Sequence, residues 1–157
     1  MPDNTSPDCK IQILSANWRD LNPVRQLEQV CFPRDAWPLF DIVGVLTLPN
    51  VIRLKAVCGH EMVGFVAADL RQRERLAWIA TIGVLPSFRR RGVGWNLMEA
   101  CEARIDLPAV RLSVRTSNQP AIQMYTSLGY RHIGRWIEYY QDGEDALVME
   151  KVLEHGL

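Results

Sequence analysis

A basic, glycine-rich segment in the middle of the chain has the composition of an anion-binding loop. Residues 84–94 read Val-Leu-Pro-Ser-Phe-Arg-Arg-Arg-Gly-Val-Gly, after an apolar run and before an amphipathic one. Free N–H groups and the positive dipole end at a helix N-terminus attract phosphate. Gly92 and Gly94 carry no side chain that would keep a phosphate away from this backbone. Three neighbours add positive charge and bidentate donors, namely Arg89, Arg90 and Arg91.

Other phosphate-binding motifs match this segment less well. A dinucleotide-binding fingerprint needs a third glycine where Leu97 stands and an acid about 20 residues later, and a Walker loop needs Gly-Lys-Ser or Gly-Lys-Thr. An exposed basic turn before an ordinary helix would explain the arginines alone. The full order of strand, Arg-x-x-Gly-x-Gly and helix favours a pyrophosphate site.

An asparagine and a tyrosine further along the chain form a second candidate pair. Asn118 and Tyr125 are seven residues apart, which places them on one helix face and about 10 Å apart along the axis. A phenol keeps its proton near pH 7 and can act as a general acid. The structural alternatives are a helix cap for Asn118 and a half-buried core residue for Tyr125.

The elements that must position these groups follow from hydrophobic periodicity. Residues 76–84 are almost continuously apolar, which is typical of a central strand covered on both faces. The element order predicts a single mixed α/β domain over residues 9–157, after a flexible tail over residues 1–8. The predicted strands are residues 10–14, 51–58, 62–70, 76–84, 110–114, 130–137 and 146–153, and the predicted helices are residues 22–31, 37–46, 92–105 and 118–128.

Two of these helices carry specific expectations about caps and buried faces. In the first helix, Asn22 is the expected N-cap and Pro23 occupies the first turn. Its expected apolar face consists of Val24, Leu27, Val30 and Cys31. In the helix over residues 92–105, the expected apolar stripe consists of Val93, Leu97, Cys101 and Ile105, with Asn96, Glu99 and Glu102 off it.

Composition and charge exclude several classes of protein. The chain has 157 residues, of which 48% are hydrophobic and 23% charged, as in a globular domain and unlike a disordered chain, a collagen or a coiled coil. Its 18 basic and 18 acidic residues balance, so overall charge does not favour binding to nucleic acid. No apolar run approaches the ~18 residues of a membrane span, and the polar first residues do not resemble a signal peptide. We therefore expect a cytoplasmic protein without a membrane or nucleic-acid partner.

The cysteines and histidines do not predict a metal site. Four cysteines are spread along the sequence without a Cys-x-x-Cys pair, and the three histidines are equally scattered. In a chain without an export signal, such cysteines are expected to be small buried hydrophobic residues. They are Cys9, Cys31, Cys58 and Cys101.

Together the motifs resemble the GCN5-related N-acetyltransferase (GNAT) superfamily. Its acetyl-CoA motif, Arg/Gln-x-x-Gly-x-Gly/Ala, is matched by residues 89–94, and its Ser-Asn-x-x-Ala-Ile-x-x-Tyr-x-x-x-Gly-Phe/Tyr segment by residues 117–130. A closer resemblance is to the RimI-type ribosomal-protein-alanine and protein N-terminal acetyltransferases. It rests on Leu-Glu-Gln-Val-Cys-Phe-Pro at residues 27–33 with Asp-Ala-Trp at 35–37, on Val-Arg-Thr-Ser-Asn at 114–118, and on Tyr-Tyr-Gln-Asp-Gly-Glu-Asp-Ala at 139–146. The resemblance implies a single GNAT domain with a mixed, mostly antiparallel sheet flanked by about four helices.

The resemblance also implies a cofactor, acetyl-CoA, and roles for individual residues. The main chain of residues 82–84 should pair with the pantetheine arm, and the amides of residues 90–95 should hold the pyrophosphate. Asn118 is assigned to the CoA arm and Tyr125 to the thioester sulfur as general acid. The implied cofactor-binding residues are Ile82, Gly83, Val84, Arg89, Arg90, Arg91, Gly92, Val93, Gly94, Trp95, Asn118 and Tyr125.

The general base is where this sequence departs from the family pattern. RimI-type proteins usually have Glu, and some eukaryotic relatives His, at the position of Ser113. A serine hydroxyl cannot take a proton near neutral pH, so the role must lie elsewhere. Glu138 is one candidate and a water held by backbone carbonyls is another, while a solvated strand end explains Glu138 equally well.

The acceptor expected from the resemblance is a protein or peptide α-amino group, for example that of a ribosomal protein. Phe32, Pro33 and Trp37 would form one wall of the acceptor site, and Tyr139 and Tyr140 the other. The alternatives are a small amine such as a polyamine or an antibiotic, and a CoA-binding module with weak catalysis. A separate alternative for the aromatic residues is that they simply cover the edge of the core. Either a monomer or a homodimer is compatible with the sequence.

Overall fold

The structure is a computed structural model that describes residues 9–154, so the tail predicted over residues 1–8 lies outside the described part. Within residues 9–154 the chain forms seven strands and four α-helices. None of these helices is long and apolar enough to cross a membrane. The strands are β1 Ile11–Ser15, β2 Val51–Cys58, β3 Glu61–Arg71, β4 Leu76–Val84, β5 Ala109–Arg115, β6 Arg131–Trp136 and β7 Ala146–Val152. The helices are α1 Leu21–Cys31, α2 Leu39–Thr47, α3 Val93–Arg104 and α4 Gln119–Ser127.

All seven strands belong to one sheet, in the order β1-β2-β3-β4-β5-β7-β6. β4 and β5 are parallel, because α3 carries the chain back between them. The other neighbouring pairs are antiparallel. The prediction of a mixed, mostly antiparallel sheet flanked by about four helices is therefore confirmed.

The helices cover the two faces of this sheet unequally. α1 and α2 pack on one face through a buried cluster that includes Leu27, Ile42 and Phe65. α3 and α4 pack on the other face through a larger cluster that includes Leu97 and Tyr125. None of the described residues of β5, β6 and β7 belongs to the α1–α2 cluster. These three strands therefore present an uncovered surface beside α1, which we call the open face.

The parallel strands β4 and β5 separate soon after they meet. The pairing of β4 with β3 skips Ala80, which is therefore a bulged residue, and a bulge bends its strand. The second half of β4 has no partner on β5, which leaves a slot between the two strands. The paired residues are Leu76 with Ala109, Ala77 with Val110 and Trp78 with Arg111.

The first helix begins earlier than the sequence predicts. α1 starts at Leu21, directly after a 3-10 turn that already has helical geometry, and its N-cap is Asp20. Asn22 therefore lies inside the first turn and does not cap it. Val30, expected to face the core, is 53% exposed, and Glu28 takes its place on the buried face.

The apolar stripe of α3 is confirmed, but one residue predicted to lie outside it is also buried. Val93, Leu97 and Cys101 are all buried as expected. Glu102 is 7% exposed, and its carboxylate lies 2.6 Å from the ammonium of Lys151 on β7. The ion pair compensates for burying the charge, and the partner is too distant in sequence for helix periodicity to reveal it.

The prediction for the four cysteines is wrong for two of them. β1 and β2 pair antiparallel, which places Cys9 next to Cys58, with the two Cα atoms 5.5 Å apart, and the two residues form a disulfide. Cys101 is a buried hydrophobic residue as expected, while Cys31 is half-buried. Strand register, which the sequence does not display, decided this pairing.

Candidate active site

The slot between β4 and β5 is the first component of the site. Ile82, Gly83 and Val84 pair with β3 on one side and with no strand among the described residues on the other. Backbone groups along such an edge can pair with an extended ligand, so the edge fits a pantetheine arm. The Val84 carbonyl is already engaged, because it accepts hydrogen bonds from Arg89 Nε at 3.0 Å and Cys31 Sγ at 3.4 Å. The remaining edge is the part available to a ligand.

The N-terminus of α3 is the second component, and it is open to solvent. Gly92 is the N-cap with φ +79°, a left-handed conformation, and no atom beyond its adjacent residues lies within 4 Å of where its Cβ would be. The N–H groups of the first turn have no partner inside the helix, so an anion can approach them directly. The absence of a side chain at Gly94 has a different explanation, because a Cβ there would lie 3.3 Å from Met124 Sδ on α4. Gly92 thus leaves room for a phosphate, whereas Gly94 allows α3 and α4 to pack closely.

The residues around these glycines point in different directions. Arg89 turns back to the Val84 carbonyl, and the Arg91 guanidinium lies over the Phe88 ring, 5.4 Å from its centroid. Arg90 has φ +64°, and all three arginines are exposed. They make the loop strongly positive, and their direct contact with phosphate stays a prediction. Val93 is buried and Trp95 half-buried, so their side chains pack on the core and only their main chain faces a ligand.

The predicted general acid is buried where α4 meets the core. Tyr125 is 6% exposed and packs edge-to-face on Tyr130, with ring centroids 5.9 Å apart. Burial and, secondarily, the hydroxyl of Tyr140 raise the pKa of Tyr125. The phenol therefore keeps its proton and can serve as a donor. Asn118 is exposed and caps α4, its side chain accepting from Ala121 N at 3.4 Å, so the cap is confirmed and its role toward CoA stays a prediction.

Arg115, at the end of β5, joins the two predicted walls of the acceptor site. Its guanidinium donates to both carboxylate oxygens of Asp35, at 2.9 and 2.7 Å, in the segment before α2. It also donates to Asp142 and Glu144, each at 2.9 Å, in the loop between β6 and β7. We call these four side chains the Arg115 clamp. Asp142 and Glu144 thus fix this loop to the body of the protein.

The clamp carries an excess of negative charge. Arg34 contributes a second cation, 3.2 Å from Asp142, so two cations face three carboxylates. Hydrogen bonds from Ser117 and Arg115 lower the pKa of Glu144 to about 2. The backbone N–H of Glu144, together with Arg115, lowers the pKa of Asp142. Both carboxylates therefore stay ionised near neutral pH, and the group of two cations and three carboxylates keeps one excess negative charge.

A row of aromatic rings crosses the open face and ends at the clamp. Trp78 of β4 stacks on Trp136 of β6 at 5.6 Å between ring centroids, and Trp136 contacts Tyr139 at 5.0 Å. Tyr139 contacts Tyr140 at 5.1 Å, and the Arg115 guanidinium lies 4.0 Å from the centroid of Tyr140. Tyr139 is 54% exposed. The aromatic wall predicted from the two tyrosines therefore includes two tryptophans as well.

The opposite predicted wall is partly a core element. Trp37 is half-buried and packs on the α1–α2 cluster, so covering the core edge is one of its roles. Phe32 is half-buried directly after α1, and Pro33 is exposed. Asp35 of this segment belongs to the clamp, and its neighbour Arg34 pairs with Asp142. The clamp thus holds the segment next to the aromatic row.

The structure places Ser113 on β5 and the candidate base Glu138 in the loop after β6, and the role of Glu138 as base stays a prediction. Ser113 is half-buried on β5 and has no carboxylate to offer. Glu138 is exposed with φ +50°, and its N–H donates to Asp145 Oδ1 at 2.8 Å. A further candidate, not predicted from the sequence, is Glu28, a buried carboxylate on α1 that accepts a hydrogen bond from Thr81 Oγ1 at 2.6 Å. Its helical spacing from the buried residues of α1 is the signal that could have revealed it.

Comparisons with known proteins agree with this geometry. The family model for the acetyltransferase (GNAT) family matches residues 18–130. The N-alpha-acetyltransferase of Sulfolobus acidocaldarius is 38% identical over 152 residues, which cover 88% of this chain and 90% of that protein. The catalytic subunit of the N-terminal acetyltransferase A complex of Arabidopsis thaliana is 30% identical over 142 residues, or 86% and 74% of the two chains. The crystal structure of the ribosomal-protein-S18-alanine N-acetyltransferase from Escherichia coli aligns with a TM-score of 0.84 at 25% identity, covering 94% of this chain and 97% of the other.

Proposed function

Because the chain belongs to the GNAT family of acetyltransferases, acetyl-CoA is its acetyl donor, and we propose that its acceptor is the α-amino group of a protein N-terminus. The observation that carries the proposal is the Arg115 clamp, which holds two aromatic-bearing segments side by side. A groove between two such walls suits an extended peptide chain, and the excess negative charge of the clamp suits a terminal ammonium. The names of the curated relatives, which describe N-terminal acetyltransferases, support the same acceptor.

On the donor side, the residues have separable tasks. When bound, acetyl-CoA supplies an acetyl group activated as a thioester. The free edge of β4 would hold its extended arm, and the N-terminus of α3 at Gly92 would hold its phosphates. Tyr125, which burial keeps protonated, would donate a proton to the leaving group.

A finer proposal concerns the acceptor protein. We propose a RimI-type acceptor, such as the N-terminus of a ribosomal protein, on the strength of the similarity to the Escherichia coli alanine N-acetyltransferase. A monomer or homodimer acting in the cytoplasm is part of the same proposal. Co-purified ribosomal proteins, examined by mass spectrometry for N-terminal acetylation with and without the enzyme, would identify such a substrate.

The experiment that tests the acceptor class compares matched amines. A set of short peptides is offered twice, once with a free N-terminus and an internal lysine and once with the N-terminus blocked, while spermidine represents small amines. CoA release is followed with a thiol reagent, and mass spectrometry locates the acetyl group. We expect turnover of the free peptides only. Spermidine must be included because the clamp would attract a polyamine too, and a preference for spermidine over every peptide would overturn the proposal.

A further inference from the structure

α1 buries a carboxylate directly beside the slot between β4 and β5. Glu28 is 2% exposed, and its Oε1 accepts a hydrogen bond from Thr81 Oγ1 at 2.6 Å. Its Oε2 is buried without a hydrogen-bond partner among the described residues. Burying a carboxylate without a cation is costly, so this group calls for a role that offsets the cost.

Thr81, the partner of Glu28, lies across the slot from the position of the missing base. The last paired residues of β4 and β5 are Trp78 and Arg111, and Ser113 lies two residues beyond Arg111 on β5. Thr81 is three residues further along β4, of which Ala80 is the bulged one. The two residues are therefore at the same level on opposite sides of the slot. Thr81 pairs with Ala67, which belongs to the α1–α2 cluster, so its side chain is on the α1 side of the sheet.

We propose that Glu28, acting through the hydroxyl of Thr81, accepts the proton of the acceptor amine and replaces the base absent at Ser113. One N–H bond of the acceptor's ammonium breaks, its proton passes to Thr81 Oγ1, and the nitrogen is left as a neutral amine. The proton of Thr81 moves to Glu28 Oε1, so the carboxylate becomes a carboxylic acid. The amine nitrogen keeps the electron pair for attack on the acetyl group. Glu28 is thus a positioning residue that also stores the proton, and Thr81 is the group that meets the amine.

The surroundings of Glu28 suit a proton acceptor. Burial raises the pKa of Glu28, and the hydrogen bond from Thr81 opposes that rise. A carboxylate with a raised pKa is a stronger base and is better matched to an amine. Cys31 is a titratable group near Glu28 on the same helix. Burial raises the pKa of its thiol, and the charge of Glu28, as one of the weaker causes, raises it further. β3 and α2 contribute apolar side chains to the α1–α2 cluster, and Arg89 is the cation that lowers the pKa of the neighbouring Cys31 thiol.

The first test separates proton transfer from binding. Glu28→Gln keeps the shape of the side chain and the oxygen that accepts from Thr81, but it cannot take a proton. Thr81→Val removes the hydroxyl that relays the proton, whereas Thr81→Ser keeps a hydroxyl. We expect both Glu28→Gln and Thr81→Val to lower kcat about 100-fold near pH 7, within the usual range for general base catalysis. KM and the Kd for acetyl-CoA should be unchanged, and Thr81→Ser should restore turnover. The deficit should shrink above pH about 8, where an α-amine is already neutral.

The second test does not depend on activity. Because the pKa of Glu28 is raised in the folded protein, wild type loses stability as pH rises from the ordinary value of 4.5 through the raised value. Glu28→Gln removes that loss, so it should melt higher than wild type at pH 7.5 and equally at low pH. Glu102→Gln is the matched control, since Glu102 is buried but ion-paired with Lys151. It should melt lower than wild type at pH 7.5 and leave the pH profile of turnover unchanged.

The outcomes distinguish this proposal from the proposed function on which it rests. Kinetics are measured with the best peptide and, in parallel, with spermidine, so a wrong acceptor class does not prevent the comparison. The inference is overturned if Glu28→Gln melts lower than wild type at pH 7.5 and turns over its best amine with an unchanged pH profile. The Glu28 carboxylate would then have a structural role only. The inference is supported if Glu28→Gln and Thr81→Val both lower kcat with unchanged KM and Thr81→Ser keeps the kcat of wild type.

Discussion

Gly92 offers the sharpest test of where the cofactor phosphates bind. It caps α3 with φ +79°, and no protein atom beyond the adjacent residues lies within 4 Å of the position that a Cβ would take. In Gly92→Val, two methyl groups would project into this space, directly in front of the free N–H groups of the helix. We expect the variant to bind CoA weakly for this reason.

We expect two separate effects of this change, a loss of stability and a loss of affinity for CoA. A side chain in the left-handed conformation costs about 1–2 kcal/mol, and each kcal/mol lowers the Tm of a domain of this size by about 2–4 °C. The fold should therefore survive with a Tm about 2–8 °C lower. Loss of one charge-assisted hydrogen bond to phosphate, worth about 1.5–3 kcal/mol, corresponds to at least a roughly tenfold weaker Kd for CoA.

A matched control isolates the phosphate effect from the backbone strain. Gly59, in the turn between β2 and β3, has φ +62° and equally open surroundings, so Gly59→Val carries similar strain far from α3. Calorimetric titration with CoA and with pantetheine, which lacks the phosphates, should show loss of CoA binding in Gly92→Val alone and no loss of pantetheine binding. Unchanged CoA affinity in a folded Gly92→Val protein, or an equal loss in both variants, would refute the assignment.

Three further predictions concern the acid and the acceptor walls. Tyr125→Phe should lower kcat by about 10²–10⁴-fold without changing the calorimetric Kd for CoA, and wild-type turnover would make Tyr125 a core residue only. Tyr139→Ala should raise the peptide KM several-fold and leave both Tm and CoA affinity unchanged, because the ring is 54% exposed; a normal peptide KM would remove it from the acceptor wall. Arg115→Gln removes the cation that holds three carboxylates, so peptide KM should rise more than in Tyr139→Ala. The lowered pKa of Glu144 stabilises the fold above pH 4.5, the ordinary pKa of a glutamate, and this stabilisation is lost as the pH falls toward 2. The difference in Tm between wild type and Arg115→Gln should therefore narrow between pH 4.5 and pH 2. A gap that stays constant in thermal melts from pH 7 to pH 2 would contradict the clamp.

Local features of the sequence determined most of the scaffold. Alternation along β5, the continuous apolar run of β4 and the glycine at position 92 each act on neighbouring residues, so they can be recognised without a partner. The family motifs in residues 89–94 and 117–130 are equally local. These signals sufficed to predict the sheet, its four helices and the family.

The tertiary structure decided the features that depend on residues far apart in sequence. Asp35, Arg115 and Glu144 meet only because the sheet brings the end of β5 beside two loops. Gly94 is a glycine because α4 packs on it, which a phosphate motif alone does not reveal. Glu28 is buried because α1 packs against β4 at the bulge, where Thr81 supplies its hydrogen bond. Periodicity specifies which face of an element is buried, but strand register and helix packing decide which side chains meet there.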